Sequence, residues 1–157
     1  MRARYRFVLA GVSLMLFAAS AQALESRASK SSSQAVDAVW QKIGKFCGIG
    51  NWHPAVEKCD LSADGKERTL TLKGGGAIVE KLVRWSDANH SYTYRIVSSP
   101  LPVQNYESTL RVRSAKSGGG SVISWSGHYA AKGASDADAK KAIDGIYDAG
   151  LTALVGG

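Results

Sequence analysis

"SDADAKKAIDGIYDAGLTALV", residues 135–155, carries a single helical pattern almost to the end of a 157-residue chain. Ser135 is placed to cap it, and Asp136 and Asp138 fall in the first turn, where the helix dipole favours carboxylates. Ala139, Ile143, Ile146, Tyr147, Leu151 and Leu154 recur at three- and four-residue steps and form one apolar stripe. Gly145 and Gly150 weaken the helix by about 1 kcal/mol each relative to alanine. Such a cost fits a helix that approaches something closely or leaves room beside it. A long helix with one apolar face needs a surface to bury it.

The residues before it supply that surface. From Ala55 the period changes to two, and "AVEKCDLS", "KERTLTLK", "GAIVEKLVRWS", "SYTYRIVSS", "NYESTLRVRS" and "SVISWSGHYAAK" read as six strands. The separators "ADG", "GGG", "DANH", the Pro100/Pro102 pair and "KSGGG" are short, so neighbouring strands run antiparallel; parallel ones would need long crossovers. Gly74–Gly76 reads as a hairpin turn, since no helix follows to make a phosphate loop. Upstream, Ser33 is positioned to cap "QAVDAVWQKIGKF", in which Val36, Val39, Trp40 and Ile43 share a face. Gly48, Gly50 and Pro54 end that helix, with room for a short second turn before Pro54. "ESRASKSS", residues 25–32, is small and polar, and pattern alone makes it a linker or at best a weak edge strand. The sum is an α+β fold in which a strongly bent antiparallel sheet grips one long helix.

The first 23 residues belong to targeting. Arg2, Arg4 and Arg6 precede the apolar "FVLAGVSLMLFAAS", and "AQA" at 21–23 has the small residues of a cleavage site. The apolar run is short of the roughly 20 residues that span a bilayer. A cleaved signal peptide (1–23) and one exported domain (24–157) are therefore expected, periplasmic or secreted, without stable membrane insertion. Three of the 20 Lys and Arg leave with the leader while all 13 Asp and Glu stay, so the balance drops to +4. No cationic run exceeds Lys140–Lys141, which weighs against nucleic acid. There is no nucleophile elbow, zinc motif or dinucleotide fingerprint, and His53, His90 and His128 fall in separate segments. No catalytic residue, metal or cofactor is assigned, and binding is favoured over catalysis.

The element order, with "AVWQKIGKF", "NWHPAVEKC", "RTLTLKGGGAIVEKL", "YTYRI", "PLPVQNYESTL" and "IYDAGLTAL", resembles the START/Bet v 1-like (SRPBCC) helix-grip superfamily, in its polyketide cyclase/dehydrase-like branch. The resemblance covers roughly residues 25–155. It implies a curved sheet wrapped around the C-terminal helix, two short helices after the first strand, and that first strand at about 25–33. It also implies an internal cavity for a small hydrophobic or aromatic molecule. Within the branch the chain is similar to MxaD-like periplasmic proteins encoded beside methanol dehydrogenase. That implies an alternative role, assisting a periplasmic oxidoreductase and its cytochrome. Cyclase or dehydratase catalysis is a third.

Part of the chain is also similar to the plant abscisic-acid receptors. "KGGGA" (73–77) matches their gate in position, although glycines replace the gate's own residues, and Asn105-Tyr106 matches the end of their latch. This likeness implies that Glu80, Tyr94, Tyr106 and Ser108 face inward. With Ile143 and Tyr147 from the helix, they make up the expected ligand site, Glu80 being its charged group. The plainer alternative is that strand tyrosines pack in the core and Glu80 is solvated. Apolar walls with a few tyrosine hydroxyls suit a flat, weakly polar ligand.

"FCGIGNWHPAVEKC", residues 46–59, holds both cysteines. Export and an even count favour a Cys47–Cys59 disulfide, with two free buried thiols as the alternative; CxxC spacing, and with it a redox motif, is absent. Trp52 is expected beneath the long helix and His53 hydrogen-bonded to backbone. A general-base role for His53 with Glu57 is the sharper reading, but Pro54 prevents their regular helical pairing.

Overall fold

Six of the seven strands form where the two-residue alternation puts them, each end within two residues of the expected bound. The computed structural model describes residues 23–116 and 118–156. Its order is β1 (Leu24–Ser32), α1 (Val36–Ile43), a 3₁₀ turn (Phe46–Gly48), α2 (Ile49–Trp52), β2 (Val56–Leu61), β3 (Glu67–Leu72), β4 (Ala77–Ser86), β5 (Ser91–Ser98), β6 (Val103–Ser114), β7 (Ser121–Ala131) and α3 (Asp136–Val155). The strands form one antiparallel sheet in the order β1-β7-β6-β5-β4-β3-β2. This is the helix-grip arrangement, with the sheet bent around α3. Residues 1–22 of the leader pattern lie outside the described residues. Among the described residues no helix is long and apolar enough to cross a membrane.

β1 corrects the linker reading. It pairs with β7 along its whole length, from Leu24 opposite Tyr129 to Ser32 opposite Ser121. Its inward positions, Leu24, Ser26, Ala28, Lys30 and Ser32, are at least half-buried but mostly small or polar, so no apolar alternation marks it. Ser26 is fully buried and meets the Tyr129 hydroxyl at 2.5 Å. Lys30 reaches across to Asp148 of α3 at 2.7 Å.

The capping expectation for Ser33 also fails. α1 starts at Val36 with Ala35 before it and no side-chain cap; Ser32 Oγ instead accepts from Gln34 N at 3.1 Å. Val39, Trp40 and Ile43 are buried, while Val36 is only half-buried. On the same helix Lys42 Nζ donates to the carbonyls of Ala153 (3.2 Å) and Leu154 (3.0 Å). The last turn of α3 has no basic residue of its own, so α1 supplies the cation that its negative end favours.

At the other end of α3, Ser135 accepts from Asp138 N at 3.1 Å, as the sequence indicates. Its stripe is buried throughout, except that Ile146 is half-buried. The two glycines separate. A Cβ on Gly150 would lie 2.7 Å from both His53 Cδ2 and Trp125 Cζ3, so bare backbone is what lets α3 pack this closely. Gly145 is exposed with nothing within 4 Å, and it makes no room for a cavity.

Two local features aim the inner face. Cys47 and Cys59 are disulfide-bonded with Cα atoms 5.6 Å apart, tying the 3₁₀ turn to β2. In β6 a bulge between Gln104 and Glu107 holds Asn105 at φ +54°. The extra residue turns Val103 and Tyr106, three positions apart, to the same buried face.

Candidate ligand-binding cavity

The sheet's concave face and α3 do not close completely on each other. Between them, with α2 at one side, lies a cavity of about 220 Å³. Its wall is mostly aliphatic: Ile49 from α2, Val56, Leu70, Ile78 and Ile96 from successive strands, and Ile143 and Ile146 from α3. Of the expected site residues, Glu80, Tyr94, Tyr106 and Ile143 stand on this wall. Ser108 and Tyr147 do not. They are buried one hydrogen bond behind it: Tyr147 Oη is 2.7 Å from Tyr106 Oη and 2.8 Å from Ser108 Oγ.

Glu80 is neither solvated nor alone. It is buried, and its Oε2 accepts from Arg68 Nε at 2.6 Å. Arg68 is also buried; it donates from Nη1 to the Phe46 carbonyl, and its guanidinium lies 4.1 Å over the Phe46 ring and 5.0 Å from the Tyr94 ring. Its Nη2 has no hydrogen-bond partner among the described residues. Burial pushes the Glu80 carboxyl up, and the charge and hydrogen bond of Arg68 oppose that. For Arg68 burial works against the cation, but Glu80, Tyr92 and Tyr94 together outweigh it and the guanidinium is held above its ordinary value. The 2.6 Å contact between Arg68 Nε and Glu80 Oε2 is that of an ion pair. Arg68 was not among the expected site residues, yet a signal for it exists. A hairpin centred on Gly74 pairs residues equidistant from that glycine, so Thr71 faces Ala77 and Arg68 faces Glu80.

A second polar feature starts on the wall, at Trp125, Tyr94 and Tyr106, and runs behind it. Trp125 Nε1 donates to Tyr94 Oη (3.1 Å), which lies 3.3 Å from Tyr106 Oη. Tyr106 continues to Tyr147, Tyr147 to Ser108, and Ser108 Oγ donates to the Ser126 carbonyl at 2.9 Å. Trp125 and Tyr147 stack, their ring centroids 4.8 Å apart and planes 12° apart. Gly127 makes room for this: a Cβ there would fall 2.4 Å from Tyr147 Oη. Burial pushes the Tyr94 and Tyr106 hydroxyls well above the ordinary phenol value, so both stay protonated.

His53 lines the cavity with both ring nitrogens committed. Ala55 N donates to Nδ1 at 3.2 Å, which leaves Nε2 to carry the proton and donate it to the Ile146 carbonyl at 3.1 Å. Burial, with Arg68 nearby, holds its pKa below the ordinary imidazole value despite that carbonyl. It is a neutral framework residue. Trp52, buried beside it, donates to the Ile43 carbonyl at 3.3 Å.

Elsewhere, the convex face of β1, β6 and β7 has an open polar groove lined by Arg27, Arg111 and Arg113 with Ser29, Thr109, Ser124 and Ser126. Arg111 Nε is buried there without a hydrogen-bond partner among the described residues. No group of three or more His, Cys, Asp or Glu among the described residues is placed to hold a metal ion.

Residues 24–156 match the model of a family described as polyketide cyclase / dehydrase and lipid transport. No curated protein matches the chain. Among solved structures it is similar to an uncharacterized protein from Bacillus thuringiensis, with 33% identity, a TM-score of 0.81, and 85% of this chain and 97% of that one covered. The protein XoxI from Bacillus cereus is 33% identical with a TM-score of 0.81, covering 84% of this chain and 93% of that one. The Zhui aromatase/cyclase from Streptomyces sp. R1128, 14% identical over 86% of this chain and 93% of that one, shares the fold at a TM-score of 0.69.

Proposed function

The chain belongs to the polyketide cyclase/dehydrase and lipid transport family, and from that premise we propose that it binds a small, flat, weakly polar molecule between its sheet and α3. The observation that carries this is the cavity itself: aliphatic walls, two tyrosines and one buried carboxyl group, Glu80, that is paired with Arg68 behind it. Its volume is below the roughly 300–1,000 Å³ of drug-sized pockets, yet an apolar cavity of about 150 Å³ takes up benzene. One or two rings fit the space of about 220 Å³. Binding is favoured over conversion because both acid–base groups at the wall are committed, His53 to backbone and Glu80 to Arg68. The disulfide and the leader pattern of residues 1–23 support an exported, periplasmic protein.

Native mass spectrometry of protein recovered from a periplasmic extract tests the reading, with Ile96→Trp as the filled-cavity control. Ile96 lines the space without joining any of the polar networks above. A small molecule retained by the wild type and lost from Ile96→Trp is the expected outcome. Identical, ligand-free spectra, with no shift in melting temperature on adding small arenes to either protein, would overturn it. The intact mass of the same sample reads whether residues 1–23 have been removed.

A second reading has its own support. An accessory protein that docks on an acidic oxidoreductase needs a cationic face, and the groove of Arg27, Arg111 and Arg113 is one. Arg111→Glu should then weaken binding to a periplasmic dehydrogenase of the same cell and flatten its salt dependence. Binding that ignores the change would remove this face from consideration.

A further inference from the structure

We propose that the cavity selects ligands that donate hydrogen bonds, because its polar wall groups offer lone pairs and keep no proton to give. This rests on the ligand-binding reading above and assigns the chemistry of what binds.

The argument runs from the two ends of the hydroxyl chain. An indole N–H can only donate and a backbone carbonyl can only accept, while each hydroxyl has one proton and two lone pairs. Ser108 gives its proton to the Ser126 carbonyl. The Ser108–Tyr147 bond must therefore be donated by Tyr147. With that proton spent, Tyr106 donates to Tyr147, and Tyr94 in turn donates to Tyr106. Tyr94 meanwhile accepts from Trp125. Every proton points along the chain from Trp125 towards Ser126, and none is left for the cavity.

The other wall groups follow suit. The His53 Nε2 proton is spent on Ile146, and its Nδ1 lone pair on Ala55. Glu80 is ion-paired through Oε2 with Arg68 and presents acceptors, while Arg68, with its unpartnered Nη2, is not among the residues that line the cavity. A ligand group that reaches Tyr94, Tyr106 or Glu80 meets lone pairs. A hydroxyarene or N–H heteroarene satisfies them. An aryl ether, ketone or quinone sets lone pair against lone pair and buries its own acceptor unpaired.

The test uses three probes of one ring system: 2-naphthol, 2-methylnaphthalene of nearly the same shape, and 2-methoxynaphthalene, followed by calorimetry or by quenching of tryptophan fluorescence. Binding of 2-naphthol about tenfold tighter than of the other two is expected, the worth of one net hydrogen bond. Equal affinities for 2-naphthol and 2-methylnaphthalene would overturn the donor rule and leave the ligand-binding reading standing. No binding by any of the three would overturn both. Tyr106→Phe removes the acceptor of the Tyr94 proton and frees it, so the gap between 2-naphthol and 2-methoxynaphthalene should shrink severalfold. Tyr147→Phe does the same for the Tyr106 proton from behind the wall, and it carries the test if the first variant does not fold. A gap unchanged in a folded variant overturns the proton directions assigned here.

Discussion

Arg68 and Glu80 face each other across β3 and β4, Nε 2.6 Å from Oε2, both buried and both six residues from Gly74 at the hairpin tip. Two opposite charges taken out of water sit on the sheet's inner face, on the two strands next to the β2 margin. Removing one partner of such a pair costs about 3–5 kcal/mol, because the other charge stays buried, whereas apolar replacement of both is often neutral. Glu80→Gln should thus lower the unfolding free energy by about that much, and Arg68→Met/Glu80→Leu by clearly less. Urea denaturation of the three proteins measures it. A double variant no more stable than Glu80→Gln would contradict this account of the pair.

His53 makes stability depend on pH. A second proton would have to enter at Nδ1, which already accepts from Ala55 N, in a buried place with Arg68 nearby. Its folded pKa is depressed below the unfolded value of about 6.5. The contribution is therefore complete above about pH 6.5 and is lost as pH falls through the depressed value. Between about pH 7 and pH 5 the wild type should lose stability faster than His53→Gln. Parallel curves of unfolding free energy against pH for the two proteins would exclude His53 as the source.

The disulfide closes a short loop, with its cysteines 12 residues apart. Chain entropy assigns about 3 kcal/mol to such a closure, acting on the unfolded state. Cys47→Ser/Cys59→Ser should lower the denaturation midpoint accordingly, and a reducing agent should do the same to the wild type but nothing to the variant. Peptide mapping without reduction gives the direct check: a linked Cys47–Cys59 peptide pair is expected, and two free thiols would refute the bond.

The two glycines of α3 predict opposite signs. Gly145→Ala adds a methyl group to open space on an exposed helix face and should stabilise by about 0.5–1 kcal/mol. Gly150→Ala drives a methyl group into His53 and Trp125 at 2.7 Å and should destabilise by about 1–3 kcal/mol despite the same gain in helix propensity. Thermal melts of the two single variants suffice. A stabilised Gly150→Ala would mean that α3 is free to move off the sheet.

How far the sequence could be read follows from where its information lies. A two-residue sequence pattern bounded by turn residues marks β2 to β7, and a stripe with a cap marks α3, so those elements were legible. β1 was not: its burial alternates, but its inward positions are mostly small or polar and leave no apolar pattern; only the family resemblance located it. Glu80, Tyr94, Tyr106 and Ile143 lie together on the cavity wall, but Tyr147 and Ser108 stand behind it. Alternation reports the face that a side chain is on and says nothing of its depth behind that face. Arg68 is legible in principle from the hairpin register, but a basic residue in "KERTLTLK" looks solvated. The start of α1 was misplaced because Ser33 resembles a cap while Ser32 is the hydroxyl engaged, in the turn before the helix.

The sheet is open, and β1 and β2 form its two margins. A bare margin is a template on which another copy can add a strand. Each margin here has an ion pair two residues apart on its own strand, Glu25 with Arg27 on β1 and Lys58 with Asp60 on β2, and all four side chains are exposed. A strand arriving from another molecule would have to strip water from those charges. The polar composition that hides β1 from pattern reading thus serves at the margin as a guard against self-association through the sheet.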